Sequence, residues 1–205
     1  VYISQPTEYG TLYSLQELEE LSAVCRERDL KLFVDGARLA YALASPANDV
    51  TLADLARLTD VFYIGGTKCG SLFGEAVVIP ERGSIRQFVT QMKQHGALLA
   101  KGRLLGVQFE ALFEDGLYLT IGEPAVKATA RIREALKRAG YVVTMDSPTN
   151  LTFVALDQAG HERLSDKVRY SIWETLPDGR YLARIGTSWA TPEEDVVAFE
   201  QALAR

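Results

Sequence analysis

The side chain best suited to covalent chemistry is that of Lys68, which follows a short apolar run and two glycines. Four large apolar residues at 61–64, bounded by turn residues, predict a strand that is buried on both faces. We expect Cys69, Leu72 and Phe73 to shield the lysine amine. Desolvation of this kind lowers a lysine pKa and favours the neutral, nucleophilic form. The pattern therefore predicts that Lys68 forms a Schiff base with the aldehyde of a cofactor.

Asp35 precedes Lys68 in the chain and follows another apolar strand. The pattern predicts a strand over 30–34, a short helix over 39–43, a second helix over 51–58, and then the strand that leads to Lys68. A strand, helix, strand unit is nearly always a right-handed crossover between parallel strands. Asp35 and Lys68 are therefore expected at the carboxyl edge of one sheet, where open α/β sheets bind ligands.

The composition restricts the kinds of partner. The chain has 205 residues, a net charge of -5 and no basic stripe, which argues against nucleic acid or an anionic membrane surface as the main partner. No apolar run approaches the length of a membrane span. The cysteines, Cys25 and Cys69, show neither disulfide nor metal spacing, so a cytoplasmic location is the simplest interpretation and no metal site is expected. Cys25 is expected to be a small core residue.

The rest of the chain divides into a helical part and a mixed part. Before Asp35 we predict a strand over 1–3 and a helix that begins at the capping box of Ser14 and Glu17. After Lys68 the predicted elements are, in order, a strand over 76–79, a helical region over 84–113 that breaks near Gly96 or Gly102, a helix over 117–139, strands over 141–145, 151–156 and 181–185, and helices over 162–173 and 192–204. The change in character at Leu117 predicts a separate small domain from there on.

Three motifs together resemble the threonine aldolase / β-eliminating lyase family. They are Lys68 with its flanking residues, the segment Asp35-Gly-Ala-Arg38, and the segment Arg184-Ile-Gly-Thr-Ser-Trp-Ala. The resemblance implies an enzyme of fold type I that uses pyridoxal 5'-phosphate. It also implies an α/β fold in which residues 1–116 form the C-terminal half of the cofactor-binding large domain, a mostly parallel sheet with helices. Residues 117–205 would then form a small C-terminal α/β domain.

The N-terminal segment of that family has no counterpart in this sequence. The chain opens at Val1, without methionine, in what reads as a core strand, so we expect a fragment or a processed product. In the family, the N-terminal segment supplies the loop for the cofactor phosphate and the histidine that stacks on the pyridine ring. The fragment alone is therefore expected to be inactive.

The resemblance assigns roles to five residues. Lys68 holds the cofactor and exchanges it for the substrate amine, and Asp35 pairs with the protonated pyridine nitrogen. Arg38 contacts the bound amino acid or the cofactor, Thr67 touches the phosphate, and Arg184 binds the substrate α-carboxylate with its guanidinium fork. A positive charge at a helix start, as at Arg38, also suggests an anionic partner. The plainer alternatives are a turn lysine, a helix-cap aspartate, a solvated arginine, a tight-turn threonine and an outward-facing strand arginine.

Four other polar residues carry weaker signals. Thr7 and Glu8 lie on a loop at the predicted rim and are candidates to line the pocket. The resemblance places a basic residue near Lys101 or Arg103 close to a phosphate across a subunit interface.

The activity implied by the resemblance is cleavage of the Cα–Cβ bond of β-hydroxy amino acids. L-threonine or L-allo-threonine would give glycine and acetaldehyde. The alternatives are a β-eliminating lyase or an aminotransferase that acts on another amino acid, and a non-catalytic remnant of the fold. The active sites of the family lie between subunits, so a homodimer or homotetramer with a small-molecule amino acid substrate is expected.

Overall fold

Asp35 and Lys68 are carried by a four-stranded sheet in the first part of the chain. The computed structural model describes residues 1–204. The strands of the first sheet are, in spatial order, β1 (Tyr2–Ser4), β2 (Phe33–Asp35), β3 (Val61–Gly65) and β4 (Glu75–Val78). Strands β1, β2 and β3 are parallel, and β4 runs antiparallel to β3. The predicted α/β fold with a mostly parallel sheet is confirmed.

Three helices cover the connections between these strands. They are α1 (Leu15–Glu27), α2 (Leu39–Leu43) and α3 (Leu52–Leu58). The predicted capping box of α1 is present, because the Ser14 hydroxyl accepts from the Glu17 N–H and the Glu17 carboxylate accepts from the Ser14 N–H. Cys25 on α1 is buried, as predicted for a core residue.

The strand before Lys68 is buried on one face only, so the prediction of burial on both faces is wrong. Phe62 and Ile64 belong to the core and are 2% and 7% exposed. Val61 and Tyr63, on the opposite face, are half-buried. Buried and half-buried residues alternate along this strand, but the sequence shows four apolar residues in a row. The reason is that tyrosine combines an apolar ring with a hydroxyl that forms hydrogen bonds.

The predicted break in the helical region over 84–113 is confirmed, whereas the helix predicted over 117–139 is interrupted at residues 121 and 122. The observed elements are α4 (Phe88–Gln94), α5 (Arg103–Phe113), a 3₁₀ turn (Glu114–Gly116), α6 (Leu117–Thr120) and α7 (Glu123–Arg138). The break between α6 and α7 falls at Gly122. A Cβ at Gly122 would lie 2.5 Å from the Ala40 carbonyl oxygen, so glycine at this position allows the chain to pass directly against α2.

A second, antiparallel sheet follows α7. Its strands are, in spatial order, β5 (Val142–Val143), β6 (Leu151–Leu156), β8 (Tyr181–Gly186) and β7 (Ser171–Thr175), with helices α8 (Gln158–Ser165) and α9 (Glu193–Ala204). The helix predicted over 162–173 is wrong beyond Ser165, because residues 171–175 pair with the edge of β8. Ile172 and Trp173 are of the β-branched and aromatic types that suit a strand. The predicted division into domains at 116 and 117 stays a prediction.

The loop after β1 joins the two sheets at Gly10. The Gly10 carbonyl oxygen accepts hydrogen bonds from the Ser147 hydroxyl at 3.1 Å and from the Thr149 hydroxyl at 2.9 Å. Gly10 has a φ of +76°, and a Cβ there would lie 2.2 Å from Ser147 Oγ. Glycine is therefore required both by the backbone conformation and by the lack of space.

We predict that Gly10→Ala lowers the urea midpoint of the full-length protein more than Gly83→Ala does. Both positions have a positive φ, +76° and +86°, so either alanine strains the backbone by about 1–2 kcal/mol. The surroundings of Gly83 are open, whereas the new methyl group at Gly10 meets two buried hydroxyls, which adds about 1–3 kcal/mol of overpacking. Unfolding followed by tryptophan fluorescence compares the two variants. Equal midpoints would contradict the tight fit at Gly10.

Candidate functional site

A cavity of about 560 Å³ lies between the carboxyl edge of the first sheet and strand β8 of the second. Its wall contains four of the five residues predicted to form the site, namely Arg38, Thr67, Lys68 and Arg184. The remaining lining residues are Tyr41, Asn150, Leu151, Ser171, Gly186, Thr187, Ser188, Trp189 and Thr191. The two sheets thus bring residues from distant parts of the sequence to one space.

Asp35, the fifth predicted residue, is the last residue of β2 and accepts three hydrogen bonds. The Tyr2 and Tyr63 hydroxyls donate to its two carboxylate oxygens, and the Ala37 N–H donates at 2.9 Å. Burial acts to raise the pKa of the Asp35 carboxyl. The three hydrogen bonds and the positive charge of Lys68 outweigh burial and hold this pKa below its usual value. Asp35 is therefore an ionised acceptor within electrostatic range of Lys68.

Lys68 follows β3 by three residues, and the main chain around it is fixed by two buried tyrosines. The Tyr41 hydroxyl donates a hydrogen bond to the Lys68 carbonyl oxygen, and the Tyr118 hydroxyl donates to the Gly65 carbonyl oxygen at 2.8 Å. Burial, and next the positive charge of Arg38, lower the pKa of the Lys68 amine against the opposing effect of nearby carboxylates. The direction agrees with the sequence prediction that this amine is shifted toward its neutral form.

The predicted shielding of Lys68 by Leu72 and Phe73 is wrong. Cys69 is 2% exposed, whereas Leu72 and Phe73 are 86% and 49% exposed. The latter two side chains lie on the turn between β3 and β4, where they extend toward solvent instead of covering the amine. The desolvation of Lys68 therefore comes from other parts of the cavity wall.

A close contact between two backbone segments sets the position of Asp35 relative to Lys68. The Gly65 N–H donates a hydrogen bond to the Gly36 carbonyl oxygen at 2.9 Å. A Cβ on Gly65 would lie 2.5 Å from the carbonyl oxygens of Gly36 and Ala37. No side chain fits between the segment that follows Asp35 and the segment that precedes Lys68. The carboxyl ends of β2 and β3 are therefore in direct contact.

Arg38 is mostly buried and pairs with Glu8. The Arg38 side chain is 12% exposed, and its Nη1 lies 3.1 Å from Glu8 Oε1. The alternative of an ordinary solvated arginine is therefore wrong. The anionic partner that its position at a helix start suggested is present within this chain, on the loop that follows β1.

Arg184 reaches the cavity from the middle of the second sheet. It lies opposite Phe153 of β6 on one side and Ser171 of β7 on the other. Its guanidinium carbon is 4.3 Å from the centroid of the Trp173 ring. Within residues 1–204 no carboxylate forms an ion pair with Arg184, so its N–H groups are available to an anionic ligand of the cavity.

The other predicted residues lie at the cavity wall or outside the cavity lining. The Thr67 hydroxyl lies 3.4 Å from the Gly74 carbonyl oxygen, at the cavity wall. Within the part of the chain that the structure describes, Thr7, Lys101 and Arg103 do not line the cavity. The same residues contain no group of three or more histidine, cysteine, aspartate or glutamate side chains that could hold a metal ion.

Sequence reasoning missed Tyr41, Tyr63 and Trp173. Tyr41 lies three positions after Arg38 in a helical segment, a spacing that places two side chains on one face and could have revealed it. Tyr63 stands in an apolar run, so the pattern predicts only a core residue there. Trp173 was missed because the segment over 162–173 was predicted as a helix. In the structure Trp173 lies on a strand next to the one that carries Arg184.

We predict that Arg38→Gln slows the reaction of Lys68 with an aldehyde probe at pH 8. Arg38 lowers the pKa of the Lys68 amine, so its removal raises that pKa and reduces the neutral fraction at a pH below it. Reductive labelling of the cofactor-free full-length protein and peptide mass spectrometry measure the rate at each lysine. Lys31, whose pKa is raised by Asp60, provides the internal reference and should be unaffected. Equal or faster labelling of Lys68 in the variant would contradict the electrostatic coupling.

Comparisons with known proteins agree with this geometry. The family model described as Beta-eliminating lyase matches residues 1–159. A low specificity L-threonine aldolase from Pseudomonas sp. (strain NCIMB 10558) is 39% identical over 201 residues, and one from Pseudomonas aeruginosa is 31% identical over 201 residues. Each alignment covers 96% of this chain. The chain belongs to the β-eliminating lyase family.

A solved structure shows the same relationship at the level of the fold. The structure described as threonine aldolase from Leishmania major is 46% identical to this chain, with a TM-score of 0.93, and is matched over 100% of this chain and 60% of that one. The curated relatives are matched over 56% of their length, so the chain spans little more than half of the proteins it resembles.

Among residues 1–204 every helix is too short or too polar to cross a membrane.

Proposed function

We propose that the full-length protein is a pyridoxal-phosphate-dependent lyase that cleaves the Cα–Cβ bond of β-hydroxy amino acids. Its substrates would be L-threonine and L-allo-threonine, and its products glycine and acetaldehyde. The observation that supports this most strongly is the placement of Lys68, Arg38 and Arg184 around one cavity, with Asp35 within electrostatic range of Lys68. The similarity to two threonine aldolases over nearly the whole chain supports the choice of substrate.

The residues around the cavity fit the proposed cofactor in chemistry and in size. The Lys68 amine is shifted toward its neutral form, and the Asp35 carboxyl is held ionised, which are the states needed to engage an aldehyde and a protonated pyridine nitrogen. The cavity of about 560 Å³ lies within the range of about 300–1,000 Å³ that is usual for small-molecule sites. When bound, the cofactor supplies an aldehyde for amines and a ring that accepts the electron pair released at Cα.

Each residue then performs a defined task in binding and orientation. Lys68 would hold the cofactor through its neutral amine, and the same amine would be in place to accept or donate a proton beside the bound substrate. Asp35 keeps its negative charge at neutral pH because the tyrosine hydroxyls and the Ala37 N–H stabilise it. That charge favours a protonated ring nitrogen over a neutral one.

The arginines fix the anionic groups of the ligands. Arg184 offers two N–H groups to the substrate α-carboxylate, and this bidentate geometry fixes the direction of the remaining bonds at Cα. Arg38 provides a second positive charge at the opposite wall, with Glu8 as its partner. The Thr67 hydroxyl is assigned to the cofactor phosphate, because it lies at the cavity wall directly before Lys68.

We propose a cytoplasmic homodimer or homotetramer for the full-length protein. Two exposed apolar side chains one turn apart on α5 support an interface: Leu104 and Val107 are 56% and 50% exposed. Apolar side chains exposed side by side are a feature of interaction surfaces. Light scattering coupled to gel filtration tests this prediction, and a monomer at micromolar concentration would refute it.

We predict that Lys68→Ala abolishes both cofactor capture and threonine cleavage in the full-length protein. Borohydride treatment of the wild type should place the mass of the reduced cofactor on the peptide that contains Lys68, because only a covalent bond to the lysine survives digestion. Lys93→Ala, which removes an exposed lysine of α4, serves as the matched control and should retain both properties.

Product analysis separates the proposed reaction from its alternatives. Glycine and acetaldehyde in equal amounts support Cα–Cβ cleavage. Ammonia with a 2-oxo acid would indicate β-elimination, and transfer of the amino group to an added 2-oxo acid would indicate transamination. A full-length protein that captures no cofactor would favour the non-catalytic remnant.

A further inference from the structure

We propose that Trp173 is a positioning residue for Arg184 and sets the affinity of the site for the carboxylate of its amino acid substrate. The inference rests on the proposed function, because it takes Arg184 as the group that binds this carboxylate. It concerns a residue that lies outside the three motifs that identify the family.

The contact between the two side chains leaves the hydrogen-bonding edge of Arg184 free. The guanidinium carbon lies 4.3 Å from the centroid of the Trp173 ring, well inside the distance of about 6 Å at which a cation and an aromatic face attract each other. Stacking engages the flat face of the guanidinium, whereas a carboxylate binds at its edge. Trp173 can therefore hold the group in place without competing for the N–H donors that the ligand needs.

An irregularity in the sheet gives Trp173 its position. In the pairing of β7 with β8, Ser171 lies opposite Arg184 and Ile172 opposite Ala183, but the next pair is Glu174 with Leu182. Trp173 is the extra residue of this β-bulge. Bulges change the direction of a side chain and are frequent beside active sites, and here the bulge accompanies a tryptophan ring that stacks on Arg184.

Other aromatic rings keep Trp173 from moving. Phe153 and Tyr9 each meet the Trp173 ring edge to face, with centroids 6.3 Å away in both cases. The Tyr9 hydroxyl donates a hydrogen bond to the Glu174 carboxylate at 3.0 Å, which ties the bulged strand to the loop after β1. The ring that supports Arg184 is therefore itself fixed from two sides.

A plainer interpretation is that Trp173 only fills space in the small aromatic cluster with Phe153 and Tyr9. The two interpretations differ in what they predict for ligand binding. A space-filling residue affects stability whatever the ligand, whereas a support for Arg184 affects carboxylate binding and does so only while Arg184 is present.

The test uses the full-length protein loaded with pyridoxal phosphate. Calorimetry gives the Kd of glycine, and initial rates give KM and kcat for threonine. Trp173→Leu should raise the Kd and the KM by about 3- to 30-fold, the range expected for the loss of a partly buried cation–π contact, with kcat changed less than twofold. Trp173→Phe, which retains a ring, should recover at least half of this loss on a logarithmic scale.

Two controls make the result specific. Ile172→Ala, a neighbour on the same edge strand that does not line the cavity, should leave the Kd and KM within twofold of the wild type. In an Arg184→Ala background, Trp173→Leu should produce no further change in the Kd of glycine. If Trp173→Leu fails to fold, Trp173→Phe in the two backgrounds supplies the same comparison.

The outcomes distinguish this inference from the function it rests on. If Arg184→Ala leaves the Kd of glycine unchanged, the proposed role of Arg184 is wrong and the inference fails with it. If Arg184→Ala weakens binding but the Trp173 substitutions do not, the inference alone is wrong. The inference is also overturned if Trp173→Leu weakens binding equally in both backgrounds.

Discussion

The direct contact between the ends of β2 and β3 determines the rest of the site. The Gly65 N–H donates to the Gly36 carbonyl oxygen at 2.9 Å, and a Cβ on Gly36 would lie 1.9 Å from the Tyr63 carbonyl oxygen. Parallel pairing alone brings the two strand ends to one edge. The glycines bring them into contact, so that the charge of Lys68 helps to keep Asp35 ionised.

The charges around the cavity differ from those of the chain as a whole. The chain carries a net charge of -5, yet Arg38, Lys68 and Arg184 all line the same cavity. Such a concentration of positive charge in a concave, partly desolvated region attracts anions. It also affects the cations themselves, since Arg38 makes the protonated form of Lys68 less favourable. The arrangement that attracts anions thus also shifts the Lys68 amine toward its neutral form.

The sequence allowed the placement of Asp35 and Lys68 to be predicted, because both follow apolar runs in a strand, helix, strand unit. The position of Arg184 depended on the resemblance, since no local pattern connects the two sheets. The support of Arg184 by Trp173 was missed because a short edge strand with a bulge lacks clear alternation. The break at Gly122 was missed for a different reason: it coincides with a close approach to Ala40, which is distant in sequence.

The loop after β1 has a further consequence for how such a site can change over time. Its Glu8 pairs with Arg38, and its Tyr9 packs on Trp173, which stacks on Arg184. Neither loop residue lines the cavity, yet the negative charge of Glu8 opposes the lowering of the Lys68 pKa. A few neighbouring codons therefore govern the surroundings of both arginines, so substitutions in this loop change the charge and packing of the site from outside its walls.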